Sequence, residues 1–93
     1  MITKYMEYCL LCGKPKTDIH HLISGGLRTT ADADELYIPV CRECHQAIHA
    51  NGAAMKLSKI VGQLAYEKQK VAEGSEVDDA REQFRKRYSR SWL

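Results

Sequence analysis

The 93-residue sequence predicts a small α+β fold in which two strands and a short helix come first and longer helices follow. Three observations predict this class. Two short runs of β-forming residues flank a polar segment, four cysteines form two equally spaced pairs, and sustained helical periodicity begins only after residue 52. We therefore expect a core over residues 1–52 and a helical C-terminal extension over residues 53–93, packed on or appended to that core within one domain.

The predicted strands are DIHHLI at residues 18–23 and ELYIPVC at residues 35–41. The second is rich in Tyr, Ile and Val, and Pro39 predicts an edge position or an irregularity in it. The segment between them, SGGLRTTADAD at residues 24–34, is predicted to be a polar loop.

Three helices are predicted after the second strand. A short one covers CRECHQAIHA and ends at Asn51 and Gly52. A longer amphipathic helix follows and ends at AEGS, residues 72–75; its apolar side carries Leu57, Ile60, Val61, Leu64 and Val71. The last helix has a narrower stripe, formed by Val77, Ala80, Phe84 and Tyr88. That stripe predicts either packing within the chain or a seam between two copies.

Charge and hydropathy restrict the possible binding partners of the protein and its cellular compartment. The net charge is +2, but REQFRKRYSRSWL at residues 81–93 holds five basic residues and one acidic residue. This basic end predicts either contact with phosphate or an ordinary solvated face. No stretch is apolar enough to span a membrane, and the start lacks the pattern of a secretory signal. We therefore expect an intracellular, cytoplasmic protein.

The four cysteines form two C-x2-C pairs, Cys9 with Cys12 and Cys41 with Cys44. Two residues between cysteines let both thiolates face one tetrahedral Zn²⁺, and two such turns complete a closed structural site. A redox dithiol and simple burial of cysteine as a small apolar residue are the alternatives. In an intracellular chain, matched pairs favour structural zinc.

All four histidines lie in two tight groups. His45 and His49 are four residues apart, so on a helix they share a face. His20 and His21 are neighbours on a strand, so their side chains point to opposite faces. This pattern allows one imidazole to bind a metal while its neighbour takes a proton. The alternatives are ordinary surface or core histidines, or His45 or His49 replacing a cysteine at the zinc.

These motifs together, the first C-x2-C pair, DIHHLI and LYIPVCRECHQAIH, resemble an HNH endonuclease, of the His-Me-finger or ββα-metal nuclease family, in its zinc-knuckle form. The resemblance covers about residues 9–51, and it implies an intracellular protein of the bacterial or phage type. It implies a ββα-metal finger, two antiparallel strands and a helix around one catalytic divalent ion, and hydrolysis of DNA phosphodiester bonds.

The resemblance also implies a role for each histidine. His21 matches the general base that activates the attacking water, and His20 matches a metal ligand that is often Asp in relatives and His in the colicin-type nucleases. His45 matches the helix ligand, and His49 the further helix histidine of the colicin-like site. The middle Asn of the H-N-H motif is missing, since this region reads DADELY. Asp34 or Glu35 is the expected substitute.

The chemistry of the residues agrees with these roles. An imidazole with an ordinary pKa of about 6.5 can act as a base at neutral pH, and one divalent ion can neutralise charge on the phosphate and the leaving 3′-oxygen. Because imidazole ligands suit Mn²⁺, Ni²⁺, Co²⁺ or Zn²⁺ better than Mg²⁺, we expect Mn²⁺ or Ni²⁺ to support more activity than Mg²⁺.

DNA is the expected partner. The candidate phosphate contacts are Arg28, Arg42, Arg85 and Arg87, with Arg81, Lys86 and Arg90 as further cations. No element reads as a base-specific recognition helix, so cleavage is expected to show low sequence specificity and to nick duplex DNA, with a homodimer or a partner protein left open. Two other functions remain as alternatives. One is a non-catalytic zinc-stabilised nucleic-acid-binding module, and the other is a zinc-stabilised protein-interaction module.

Overall fold

The computed structural model describes residues 3–23 and 27–93 and contains two strands and four helices in these ranges. The elements in chain order are β1 (Asp18–His21), α1 (Arg28–Ala33), β2 (Tyr37–Val40), α2 (Arg42–His49), α3 (Gly52–Ala72) and α4 (Val77–Tyr88). The predicted small α+β class is confirmed. No helix in the described part of the chain combines the length and the apolar character that a membrane crossing requires.

Strands β1 and β2 pair antiparallel, with Asp18 opposite Val40 and His21 opposite Tyr37. Pro39 lies inside β2, where its missing N–H costs nothing. Its carbonyl oxygen accepts a hydrogen bond from the Leu10 N–H at 2.9 Å. Because the N–H and C=O of one residue point to the same side of a strand, Pro39 faces away from β1. The first cysteine pair is thereby attached to the outer edge of the sheet.

Helix α1 corrects the prediction of a polar loop over residues 24–34. Residues 28–33 form a helix, and residues 24–26 lie outside the described ranges. Ala31 is fully buried and packs with Ile23 and Leu36. A helix of six residues with a single buried side chain leaves no readable periodicity in the sequence, and tertiary packing determines its conformation.

Asn51 separates α2 from α3, as expected for a residue type that favours helix ends. Its side-chain oxygen accepts hydrogen bonds from the N–H groups of Ala53 and Ala54 at 2.9 and 3.1 Å. This N-cap satisfies two of the donors that the first turn of α3 leaves free.

Helix α3 buries a different side from the one that its apolar residues predict. Leu57 and Leu64 are 58% and 49% exposed, and Val61 and Val71 are 39% and 40% exposed. The packed side is formed by Ser58, Gly62, Gln63, Tyr66 and Glu67. Ser58, Gln63 and Glu67 have hydrogen-bond partners inside the fold, and Gly62 lets the helix approach closely. Satisfied polar groups can be buried at little cost, so hydropathy alone misassigns this face.

Helix α4 packs within the chain. Ala80, Phe84 and Tyr88 are fully buried, whereas Val77 is 62% exposed. Phe84 stacks on Tyr88 with ring centroids 4.5 Å apart, and Tyr66 of α3 meets both rings edge-on. Three of the four stripe residues therefore belong to the core, which accounts for them without a second copy.

Close packing at Gly62 generates the first prediction. A Cβ at this position would lie 3.2 Å from Ile23 Cγ1 and 3.2 Å from Leu22 Cβ, both in buried side chains. We expect Gly62→Val to lower the free energy of unfolding by about 1–3 kcal/mol through overpacking. Urea denaturation followed by circular dichroism measures this.

Lys56→Val is the matched control, because Lys56 is exposed on the same helix. It is expected to change stability by no more than about 0.5 kcal/mol. Equal losses in the two variants would contradict close packing at Gly62.

Candidate metal centres

Four cysteine sulfurs converge in the described part of the chain. The Sγ atoms of Cys9, Cys12, Cys41 and Cys44 all lie within 4.8 Å of one another, and those of Cys12 and Cys41 are 3.6 Å apart. Two sulfurs on a tetrahedral Zn²⁺ with bonds of about 2.3 Å are separated by about 3.8 Å. The arrangement can hold a metal ion, as the spacing predicts.

Local backbone structure sets this cluster. Gly13 adopts a φ of 79°, and its N–H bonds to the Cys9 carbonyl at 2.9 Å, which closes the first turn. A residue with a Cβ is strained at this φ. The second pair lies where β2 meets α2, because Cys41 is the N-cap of that helix and its sulfur accepts from the Cys44 N–H at 3.4 Å.

Hydrogen bonding and burial shift the pKa values of the Cys9 and Cys44 thiols in opposite directions. Burial alone would raise the pKa of Cys9, but the backbone N–H groups of Cys41, Cys12 and Leu11 lower it to about 6. Hydrogen bonding to Cys41, followed by burial, raises the pKa of Cys44 to about 12. Four sulfurs this close can all ionise only around a cation, which is the behaviour of a metal site.

Three histidines form a second, separate cluster. The candidate ligand nitrogens of His20, His45 and His49 all lie within 4.8 Å of one another. Strand β1 supplies the first, and one face of α2 supplies the other two. The Nε2 atoms of His45 and His49 are 3.0 Å apart. Two nitrogens bound to one ion at about 2.1 Å lie about 3.0–3.4 Å apart, so this pair can share a metal.

Asp18 orients His45. Its Oδ2 lies 3.0 Å from His45 Nδ1, and this hydrogen bond, aided by the nearby Arg42, holds the pKa of the Asp18 carboxyl below its usual range. A carboxylate can only accept, so Nδ1 carries the proton and Nε2 presents its lone pair to the cluster. A carboxylate behind a ligand histidine is a common arrangement at metal sites.

His20 is the buried member of the cluster, with 1% of its surface exposed. Burial, together with the neighbouring His45, His49 and His21, lowers its pKa to about 4, so the imidazole is neutral near pH 7. Its Nε2 lies 3.0 Å from the Ser58 hydroxyl, whereas Nδ1 is the one buried side-chain nitrogen or oxygen among the described residues without a hydrogen-bond partner. A metal ion would satisfy that nitrogen, and neutral imidazole is the form that binds metals.

His21 follows on β1, and its side chain takes a different partner. Its Nε2 lies 2.8 Å from Asp32 Oδ1, and the side chain remains 18% exposed. Asp34, one expected substitute for the missing Asn, accepts instead from Arg87 Nε and the Tyr88 hydroxyl, each at 2.6 Å. The carboxylate that contacts His21 is therefore Asp32, which lies in α1.

The predicted phosphate contacts differ in their surroundings. Arg28 and Arg42 are exposed, and the nearest acidic partner of Arg42 is Asp18 at 3.8 Å. Arg85 pairs with Glu82, and Arg87 pairs with Asp34. Arg85 and Arg87 are thus partly neutralised by these carboxylates.

Sequence reasoning missed three supporting residues: Asp18, Asp32 and Ser58. Asp18 had a readable signal, since alternation puts it on the same face of β1 as His20. Asp32 and Ser58 had no such signal. Asp32 lies in a helix that the sequence did not predict, and Ser58 reaches His20 from a helix distant in sequence.

Comparison with known proteins gives one family match and one curated relative. Residues 3–78, which include both clusters, match the family described as "Protein of unknown function (DUF968)". A segment of 51 residues is 39% identical to a protein of Escherichia coli strain K12 named "Uncharacterized protein YdfU". The match spans 52% of this chain but only 14% of that relative's length. No solved structure shows a significant match.

The Asp18–His45 hydrogen bond generates the second prediction. We expect Asp18→Asn to weaken Ni²⁺ binding at the histidine cluster by about 10–100-fold, because the amide supports the required tautomer and orientation less well. Isothermal titration of Ni²⁺ into protein whose cysteine cluster is already loaded with Zn²⁺ measures the affinity.

Glu43→Gln is the control, since it removes an equal charge from an exposed site on α2, the helix that carries His45. It should leave the Ni²⁺ affinity unchanged within about twofold, as expected for a screened surface charge. Equal weakening in both variants would mean that net charge, rather than the bond to His45, is responsible.

Proposed function

The chain belongs to the family described as "Protein of unknown function (DUF968)", and we propose that it is a divalent-metal-dependent endonuclease that hydrolyses DNA phosphodiester bonds. The observation that carries this proposal is the arrangement on β1. His20 joins His45 and His49 in a three-imidazole cluster, while the next residue, His21, is held by Asp32 and is free of that cluster.

The histidine cluster fits one transition-metal ion. His45 and His49 would bind it through Nε2, and His20 through Nδ1, since Ser58 occupies the other nitrogen. When bound, the ion supplies positive charge to the scissile phosphate and to the leaving 3′-oxygen. Imidazole donors favour Mn²⁺ or Ni²⁺ over Mg²⁺. The four cysteines, with no open ligand position, would hold a structural Zn²⁺.

His21 would be the general base. With the proton of Nε2 donated to Asp32, the lone pair of Nδ1 is available to accept a proton from water. The resulting hydroxide would attack phosphorus, the P–O3′ bond would break, and the 3′-oxygen would take up a proton from solvent water. The products are a 5′-phosphate and a 3′-hydroxyl.

Asp32 would do the work that the resemblance to HNH endonucleases assigns to the missing Asn. Its carboxylate fixes the tautomer and the direction of the His21 ring from α1, and it also stabilises the imidazolium formed when the proton arrives. Asp34, which bonds to Arg87 and Tyr88 of α4, is not needed for this.

Arg42 and Arg28, both exposed, would contact the DNA backbone. Arg42 lies at the first position of α2, one turn before His45, and its side chain is 72% exposed. Contacts of this kind position the backbone without reading bases, which supports cleavage with low sequence specificity. One site per chain would nick duplex DNA.

Relaxation of supercoiled plasmid tests the proposal. Protein that retains Zn²⁺ on its cysteines is stripped of weaker-bound metal and assayed with Mg²⁺, Mn²⁺ or Ni²⁺. We expect metal-dependent open circles, most with Mn²⁺ or Ni²⁺, and a loss of about 10²–10⁴-fold in His21→Ala with Ni²⁺ affinity retained.

Two carboxylate variants sharpen this test. Asp32→Asn should lower the nicking rate at least about tenfold, because the amide supports the imidazolium less well, whereas Asp34→Asn should not. Wild-type protein that is inert with every metal but shifts DNA in a gel would replace the nuclease by a nucleic-acid-binding module. Protein that neither cuts nor binds DNA would favour a protein-interaction module.

A further inference from the structure

Helix α3 contributes one side chain to the surroundings of the histidine cluster. Ser58 is 8% exposed, and its hydroxyl oxygen lies 3.0 Å from Nε2 of His20. It lies outside residues 9–51, the part of the chain that resembles HNH endonucleases. We propose that Ser58 is a positioning residue, which holds the His20 ring so that Nδ1 rather than Nε2 binds the metal ion.

The position of the proton on His20 follows from its two surroundings. A neutral imidazole carries one proton, so the nitrogen that donates leaves the other nitrogen with a lone pair. If Nε2 carries the proton, it donates to the Ser58 oxygen, and the lone pair of Nδ1 is available to a metal ion. If Nδ1 carried it instead, a buried N–H would have no acceptor among the described residues, which costs free energy. The bond to Ser58 therefore favours the tautomer that binds metal through Nδ1.

The bond to Ser58 also selects one orientation of the ring. A half-turn about the Cβ–Cγ bond of His20 exchanges Nδ1 with Cδ2 and Nε2 with Cε1. Such a turn would lose the hydrogen bond to Ser58 and place a carbon where the metal needs a nitrogen. The His20 ring centroid lies 5.3 Å from that of His45 and 5.4 Å from that of His49. At this spacing, the orientation of the His20 ring decides whether its nitrogen reaches an ion that the other two share.

Close packing holds Ser58 in place. Gly62 lies one turn further along α3, where a Cβ would be 3.2 Å from the Cβ of Leu22. Leu22 follows His20 by two residues, at the end of β1. This close approach fixes the distance between α3 and the strand, so Ser58 meets His20 from a rigid element. Packed secondary structure of this kind gives a ligand side chain the precise support that a metal site needs.

Helix α3 is thereby part of the metal site. Asp18 bonds to Nδ1 of His45, and Ser58 bonds to Nε2 of His20, so two of the three candidate ligands are oriented through the nitrogen that does not bind the ion. The role of Ser58 rests on the metal site of the proposed function but not on DNA cleavage, so metal binding alone tests it.

Titration of Ni²⁺ into protein that carries Zn²⁺ on its cysteines tests the role of Ser58. We expect Ser58→Ala to weaken Ni²⁺ binding by about 10–100-fold. Ser91→Ala is the matched control, because it removes a hydroxyl that accepts from Gln63 of the same helix at 2.8 Å rather than from a histidine. It should leave the affinity unchanged within about twofold. Unchanged affinity in Ser58→Ala, or equal weakening in both variants, would overturn the proposal.

Proton–nitrogen NMR of the imidazole rings gives a readout that a purely structural role would not move. In wild-type protein with Zn²⁺ at both clusters, we expect His20 to be metal-bound through Nδ1 and protonated at Nε2. In Ser58→Ala, part of the His20 signal should shift to another ring state. Zinc bound to wild-type His20 through Nε2 would overturn the proposal without the use of any variant.

Metal binding and plasmid cleavage together distinguish the role of Ser58 from the proposed function. Wild-type protein that binds the ion through Nδ1 of His20 but cuts no DNA would contradict the nuclease and support the role of Ser58. Wild-type protein that binds no metal at its histidines would overturn both.

Discussion

The placement of α2 against β1 is the constraint on which the rest of the molecule depends. Helix α2 carries Cys44 of one cluster and His45 and His49 of the other, and its N-cap is Cys41. Asp18 of β1 bonds to His45 across this contact, and His20 completes the histidine cluster from the same strand. Because a four-sulfur cluster fixes the start of α2, it also fixes the direction in which both helix histidines point.

The C-terminal helices support this arrangement through buried polar contacts. Ser58 of α3 bonds to His20, and Gln63, fully buried, bonds to Glu67 and Ser91 and accepts from the Trp92 N–H at 2.7 Å. Asp34, at the end of α1, joins two residues of α4. Because the packed face of α3 is polar, the apolar side of the helix, which includes Leu57 and Leu64, lies on the surface.

Spacing and alternation predicted the two clusters, because both are short-range properties of the chain. Two residues between cysteines, three residues between the helix histidines and adjacent strand histidines each restrict geometry within one or two turns. Contacts between distant segments were not predictable in this way. Asp32 and Ser58 meet His21 and His20 only after α1 and α3 have packed, and the buried face of α3 is determined by partners that hydropathy does not register.

The two clusters joined by α2 could hold two different metal ions, one at the cysteines and one at the histidines. X-ray absorption at the Zn and Ni edges of protein loaded with both metals tests it most directly. We expect four sulfur neighbours at about 2.3 Å around zinc, and nitrogen and oxygen neighbours with no sulfur around nickel. A zinc edge with mixed sulfur and nitrogen neighbours, together with only one metal bound per chain, would contradict it.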